Sequence, residues 1–300
     1  MSKPLVSVVL CTYNGAAYLQ EQINTILHQT YTTIELVIVD DASSDDTMKI
    51  LQEYAEKDQR IQLHQNETNL GFNLNFQKAI LLSKGEWIAI SDQDDIWHPQ
   101  KLEIMLQQWD KKSSLIHCAS RKFSTIDEIK HSKKPSALGF NGTEVRTLAC
   151  KNTVEGHNIL FHHSLKEKAL PFPITLFYDW WLGVVAAVNG GVQWVDQILV
   201  WRRIHENNTF EVQIAPKLDE QKVWKRHLQS FLNVTGIQAR DQEFINQCLT
   251  LLNNHTKEQQ WYHFILQNRH IFFYYKKGIF TFISSRNNSK KLAKKMAVHT

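Results

Sequence analysis

The chain has 300 residues, 43% of them hydrophobic and 21% charged, with a formal net charge of +4. This composition excludes a disordered chain, and the length is enough to bury a full core as one large domain or one domain with an appendage. The positive balance sits at one end: residues 276–300 hold Lys276, Lys277, Arg286, Lys290, Lys291, Lys294 and Lys295 and no acid, leaving a mildly acidic body, which argues against nucleic-acid binding and for local contact with an anionic membrane surface.

Strand and helix patterns alternate through the first hundred residues. Residues 5–10 form a β-branched apolar run, and after Asn14-Gly15 the positions Leu19, Ile23, Ile26 and Leu27 recur at helical spacing. A second strand is expected at 35–39. Ser43-Ser44-Asp45-Asp46 then supplies N-cap and acidic first-turn residues for a helix with Ile50, Leu51, Tyr54 and Ala55 on its apolar face. A short strand at 61–64 precedes a helical face of Phe72, Phe76, Ala79 and Ile80, which Ser83-Lys84-Gly85 ends before a strand at 86–90. Such alternation implies a parallel α/β sheet.

Ser91-Asp92-Gln93-Asp94-Asp95-Ile96-Trp97 follows that strand directly. A buried parallel strand ending in clustered carboxylates delivers hard oxygen ligands to its carboxyl end. In extended backbone Asp92 and Asp94 point to one side, able to hold a divalent cation, and Asp95 points away. An Asp-x-Asp triplet alone is also a common solvated turn or helix start, and Pro99 suits the first turn of the apolar-periodic stretch 101–109.

The later pattern is less regular. A strand is expected at 114–119, a long polar loop at 121–142, a strand at 155–161, a helix at 177–188 and a strand at 192–201. The α/β body is expected to end near residue 210, and from residue 215 the chain is helix-rich and aromatic. Cys11, Cys118, Cys150 and Cys248 have no paired metal spacing and suit a reducing compartment. The first ten residues are too short for a signal-peptide core and no stretch reaches spanning length, so synthesis in the cytoplasm is expected.

Thr12-Tyr13-Asn14, Asp40-Asp41 and Asp92 to Asp95 each close a strand, and in an open parallel sheet those ends share one ligand-binding edge. Six segments, "SVVLCTYNGAAYL", "ELVIVDDASSDDT", "NLGFNLNFQKAI", "KGEWIAISDQDDIWHPQKLE", "YDWWLGVVAA" and "LVWRRIHENN", match in order those of the family 2 glycosyltransferases, which the sequence resembles over residues 4–210. "SDQDDIW" with "YDWWL" is most similar to the bacterial rhamnosyltransferase branch. The resemblance implies a GT-A nucleotide-sugar-binding, Rossmann-like fold with a mainly parallel sheet at 1–210, its nucleotide-binding half at 1–98 and its acceptor half at 99–210. A helical appendage with a basic tail follows at 211–300.

The resemblance also implies roles for particular residues. Asp40 meets the nucleobase; a carboxylate accepts from the N3–H of uracil or thymine, which favours a UDP- or dTDP-sugar, dTDP-rhamnose first. Thr12, Tyr13, Asn14, Asn69 and Asp92 line the nucleotide, although core packing is an alternative for Tyr13. Asp92, Asp94 and His205 hold Mn²⁺ or Mg²⁺ at the diphosphate, with positive charge from Arg202 or Arg203; the alternative for His205 is a structural histidine. Asp179 is the general base of an inverting transfer, its alternative a helix-dipole acid, while Trp180 and Trp181 stack on the acceptor sugar and His157 stands on the acceptor side.

The expected activity is metal-dependent, inverting transfer of one sugar to a hydroxyl of a glycan or lipid-linked glycan in cell-surface polysaccharide synthesis. The expected location is cytoplasmic, peripheral at the inner membrane face. There Lys290, Lys291, Lys294 and Lys295, with Leu292 and Met296, form a basic amphipathic helix. One alternative is a catalytically inactive sugar-nucleotide or glycan-binding module. Another is a phosphoacceptor domain imitated by Val39-Asp40-Asp41, which fits this length and strand order poorly.

Overall fold

The computed structural model describes residues 3–131, 138–174, 176–206, 219–253, 258–275 and 281–297. The first half builds three strand–helix units, β1 (Val6–Thr12), α1 (Ala16–Leu27), β2 (Ile34–Asp40), α2 (Thr47–Lys57), β3 (Ile61–Gln65) and α3 (Phe72–Leu82), and then β4 (Trp87–Ser91). These four strands pair in parallel in the order β3-β2-β1-β4. Apolar residues alternate between two buried faces: Val9, Val37 and Val39 pack under α3, and Val8, Leu10, Leu36 and Ile38 pack under α1 and α2.

Beyond β4 come β5 (Ile96–Trp97), α4 (Lys101–Gln107), β6 (Leu115–Phe123), α5 (Val145–Cys150), β7 (Ile159–His162), α6 (Lys166–Ala169), α7 (Tyr178–Val188) and β8 (Val192–Arg203). The sheet becomes mixed: β7 runs antiparallel to both β4 and β6, β8 is parallel to β6, and β5 is antiparallel to β8. The expected loop at 121–142 is partly a continuation of β6 and a 3₁₀ turn at Ile126–His131, because β8 pairs with β6 as far as Phe123. The expected strand at 155–161 opens instead with a 3₁₀ turn, Gly156–Asn158.

The C-terminal part is helical: α8 (Glu220–Phe231), α9 (Ala239–Asn253), α10 (Glu258–Gln267), α11 (Arg269–Phe272) and α12 (Thr281–Ala297). Trp224, Leu228, Phe231, Phe244, Ile245 and Trp261 join the same apolar cluster as α5 and α7. Trp224 Nε1–H donates to Ala149 O at 2.7 Å, tying α8 to the end of α5. The boundary expected near residue 210 lies outside the described residues, as do Lys276 and Lys277. Among the described residues, no helix is long and apolar enough to cross a membrane.

Candidate active site

The parallel register makes the strand ends level. Thr12 and Asp40 are direct partners, and Asp92 follows Ser91, which is level with Leu10. Asp40 is fully buried, accepting from Thr12 Oγ1 at 2.9 Å, Ser43 N at 2.9 Å and Ser43 Oγ at 2.5 Å. These donors hold the Asp40 carboxylate in place at the end of β2. Asp41 is also buried and accepts from Asn66 Nδ2, Leu70 N and Gly71 N, which fixes the Asn69-Leu70-Gly71 loop. Gly71 has φ +81, a conformation glycine adopts without the cost of a Cβ. Tyr13, 48% exposed, is not a core residue, and Asn14, at φ 48, accepts from Ser44 N at 2.8 Å.

β4 ends at Ser91, so the acidic residues lie on a turn rather than a continued strand. Gln93 folds back across it: Oε1 accepts from Tyr13 N at 2.9 Å and Nε2 donates to Tyr13 O at 3.1 Å. Asp94 Oδ2 lies 2.8 Å from His205 Nε2. Asp95 does not point away, because strand alternation no longer applies after the turn. It is 1% exposed, accepts from Arg203 N at 3.2 Å, and offers an oxygen within 4.8 Å of ligand atoms of Asp92 and His157. Asp95 Oδ2 is buried without a hydrogen-bond partner among the described residues.

This crowding appears in the proton equilibria. Burial beneath the cleft walls, then the charge of Asp94, pushes Asp92 up to about 7, although 42% of its side chain still meets solvent across the cleft. Burial and then the charge of Asp92 raise Asp95 as well. Burial lowers His157 to about 4 and keeps its imidazole neutral. Two adjacent carboxylates, an unpartnered buried carboxylate oxygen and imidazole nitrogens form a donor set that fits a divalent cation such as Mn²⁺ or Mg²⁺.

The antiparallel course of β7 carries its lead-in, Glu155 to Asn158, to this same edge. Gly156 N donates to Asp179 Oδ2 at 3.2 Å, and Asp179 Oδ1 accepts from Trp180 N at 2.6 Å in the first turn of α7. Burial, with a further push from Glu155, raises Asp179 to about 7. The charge of Asp179 also acts on Asp92, raising it further. His157 Nδ1 is 3.7 Å from Asp92 Oδ2, which places His157 on the acidic cluster itself.

Trp180 and Trp181 are both engaged by neighbouring protein, Trp181 buried and Trp180 half-buried. α7 buries most of its circumference; the Trp180 indole donates to Leu148 O at 2.7 Å and stacks on His227, and the Trp181 indole donates to Ala169 O at 2.9 Å. The two arginines also separate, since neighbouring strand residues face opposite sides. Arg202 acts electrostatically on Asp92, Asp95, Glu155 and His157, whereas Arg203 is 8% exposed and pairs with Glu21.

Three residues of the site have no signal of their own in the sequence. Glu155 accepts from Ser120 Oγ and Asn158 Nδ2 while half its side chain stays exposed, and only its place before Gly156-His157-Asn158 points to it. Lys101 is fully buried at the start of α4, donating to His157 O at 2.8 Å, with burial lowering it to about 8. Gln93 reads as the neutral spacer of an acidic triplet.

The glycosyl transferase family 2 profile matches residues 7–170, more than half of the chain. The chain is 39% identical over 159 residues to TuaG of Bacillus subtilis, a protein assigned provisionally to teichuronic acid biosynthesis as a glycosyltransferase, covering 51% of this chain and 60% of that one. It is 28% identical over 270 residues to an uncharacterized glycosyltransferase of Rickettsia felis, covering 84% of this chain but only 43% of the relative, so it spans less than half that protein's length. Among solved structures, Staphylococcus aureus TarS 1–349 with UDP-GlcNAc superposes with a TM-score of 0.63 at 18% identity, covering 89% of this chain and 78% of that one. The Pyrobaculum calidifontis mannosyltransferase PcManGT, with GDP-Man and Mn²⁺, gives 0.61 at 14% identity, covering 99% and 88%. These likenesses show the α/β GT-A fold, and the match over residues 7–170 establishes that the chain belongs to glycosyl transferase family 2.

Proposed function

We propose that the protein moves one sugar from a nucleotide-sugar, a UDP- or dTDP-sugar such as dTDP-rhamnose being tested first, to a hydroxyl of a glycan or lipid-linked glycan, with inversion. The observation that carries this reading is the acidic turn after β4, where Asp94 pairs with His205, Asp92 and Asp95 gather with His157, and the charges of Asp94 and Asp179 both act on Asp92. In support, the TarS neighbour was solved with UDP-GlcNAc and PcManGT with GDP-Man and Mn²⁺, and the named role of TuaG is in a cell-surface polymer.

Asp92, Asp94 and His205 would hold the cation, which when bound supplies positive charge to a departing diphosphate. Arg202 adds charge on the same side. Tyr13 and Asn14, on the exposed turn after β1, border the nucleotide together with Asn69, and Asp40 supports them from beneath. Asp179 takes the proton of the acceptor hydroxyl as it attacks, since a carboxyl near neutrality is a competent base. Glu155 and His157 orient that hydroxyl from the lead-in to β7. The four lysines of α12 face solvent and offer an anionic leaflet a purely electrostatic contact.

Calorimetry with UDP-, dTDP- and GDP-sugars, with and without Mn²⁺, tests the reading. Asp94→Ala should weaken metal-dependent donor binding at least tenfold. Equal donor affinity with and without Mn²⁺ in the parent protein would remove the cation from the mechanism.

A further inference from the structure

We infer that Arg203, locked by Glu21, is the positioning residue of the cation site, holding the Asp94 turn and His205 in register. This rests on the reading that Asp94 and His205 hold the cation. Arg203 is 8% exposed, and its contacts converge on the acidic turn from several elements. Its backbone N–H donates to Asp95 Oδ1 at 3.2 Å and its Nε–H to Asp94 O at 3.0 Å, while a terminal guanidinium N–H donates to Glu21 on α1. The guanidinium carbon lies 4.7 Å from the centroid of the Tyr18 ring and 4.6 Å from that of Phe123. Tyr18 in turn packs on the His205 ring at 4.6 Å between centroids.

One side chain therefore touches the backbone that carries Asp94 and the ring that packs on His205. Glu21 fixes one arm of the planar fork, and two aromatic faces prevent its rotation. The Nε–H then sets where Asp94 O lies, and with it the reach of the Asp94 carboxylate toward His205. A lysine could keep the charge and reach either Glu21 or Asp94 O, but it lacks the rigid fork that reaches both. Partners behind metal ligands commonly affect affinity by this route, by orienting a ligand rather than touching the ion.

The test uses Arg203→Lys and Glu21→Gln in the full chain. Free Mn²⁺ is followed by electron paramagnetic resonance during titration with UDP present and no turnover, and melting curves confirm folding. Arg203→Lys should bind Mn²⁺ about tenfold or more weakly, and Glu21→Gln should shift affinity the same way by less. In transfer assays the Mn²⁺ activation constant should rise while kcat at saturating Mn²⁺ returns near the parent value, a split that a merely structural role would not produce. Folded Arg203→Lys with unchanged Mn²⁺ affinity overturns the inference and leaves the cation site intact. If Arg203→Lys does not fold, unchanged affinity in Glu21→Gln overturns it instead. Absence of Mn²⁺ binding by the parent protein overturns the site and the inference together.

Discussion

Asp179 carries the sharpest expectation at the scale of a single residue. Its carboxyl is raised to about 7 by burial, so the basic form grows as pH rises through that value. Transfer measured as kcat/KM should climb about tenfold per pH unit below pH 7 and level off above it; a rate that falls over that range would assign Asp179 to the acid form. Asp179→Asn keeps the shape and one of the two oxygens that accept from Trp180 N and Gly156 N, and removes the base. It should lower kcat by about two to four orders of magnitude and leave donor affinity measurable by calorimetry. Retained transfer would remove Asp179 from the chemistry. The position of this acid was legible in Tyr178-Asp179-Trp180-Trp181, but its elevated proton affinity was not, because it depends on burial and on Glu155, 24 positions earlier in the chain.

Elements explain why some residues took roles other than those expected. The run 86–90 and the acids after it were readable as a strand delivering carboxylates to an edge, and β4 does so. Asp95 was misread because side-chain alternation was carried past Ser91 into a turn. The surroundings of the Trp180–Trp181 pair were not legible for a different reason. A helix start beside a candidate base leaves open which faces are covered; α5 and α8 pack on Trp180, and Trp181 bonds to the end of α6. Trp224, which is 6% exposed and donates to Ala149 O, is the bolt between α8 and α5. Trp224→Ala should therefore lower unfolding free energy by about 3–5 kcal/mol in urea denaturation. A loss below about 1 kcal/mol would show that α8 docks independently of this contact.

For the whole molecule, the basic end separates charge from packing. In α12, Ser289 and Ala293 are buried and Leu292 and Met296 pack on the core, so the apolar face expected to lie in a leaflet is already covered by protein. Lys290, Lys291, Lys294 and Lys295 remain exposed. The Lys295–Glu220 pair is exposed on both sides and contributes little to stability. Replacing all four lysines by Gln should move the melting temperature by only a few degrees and abolish sedimentation with anionic vesicles at low salt. Undiminished vesicle binding by that variant would remove the tail from any membrane contact.

Although β5, α5 and α6 went unread, local pattern was enough for the order of the strands and helices through β4 and for the main elements near 115, 159, 178 and 192, and for the carboxylates closing β2 and β4, while the ordered motifs carried the family resemblance. Those features repeat every two or three to four residues, or stand side by side in the chain. The tertiary structure alone decided that Ser43 donates to Asp40, that Arg202 acts on the acidic cluster while Arg203 pairs with Glu21, that Glu155, His157 and Lys101 join the acidic turn, and that the lysine helix lies apolar side down. Each of these depends on which distant segment covers a side chain, and here that was set by an antiparallel β7 and a β5–β8 pairing that no local periodicity encodes.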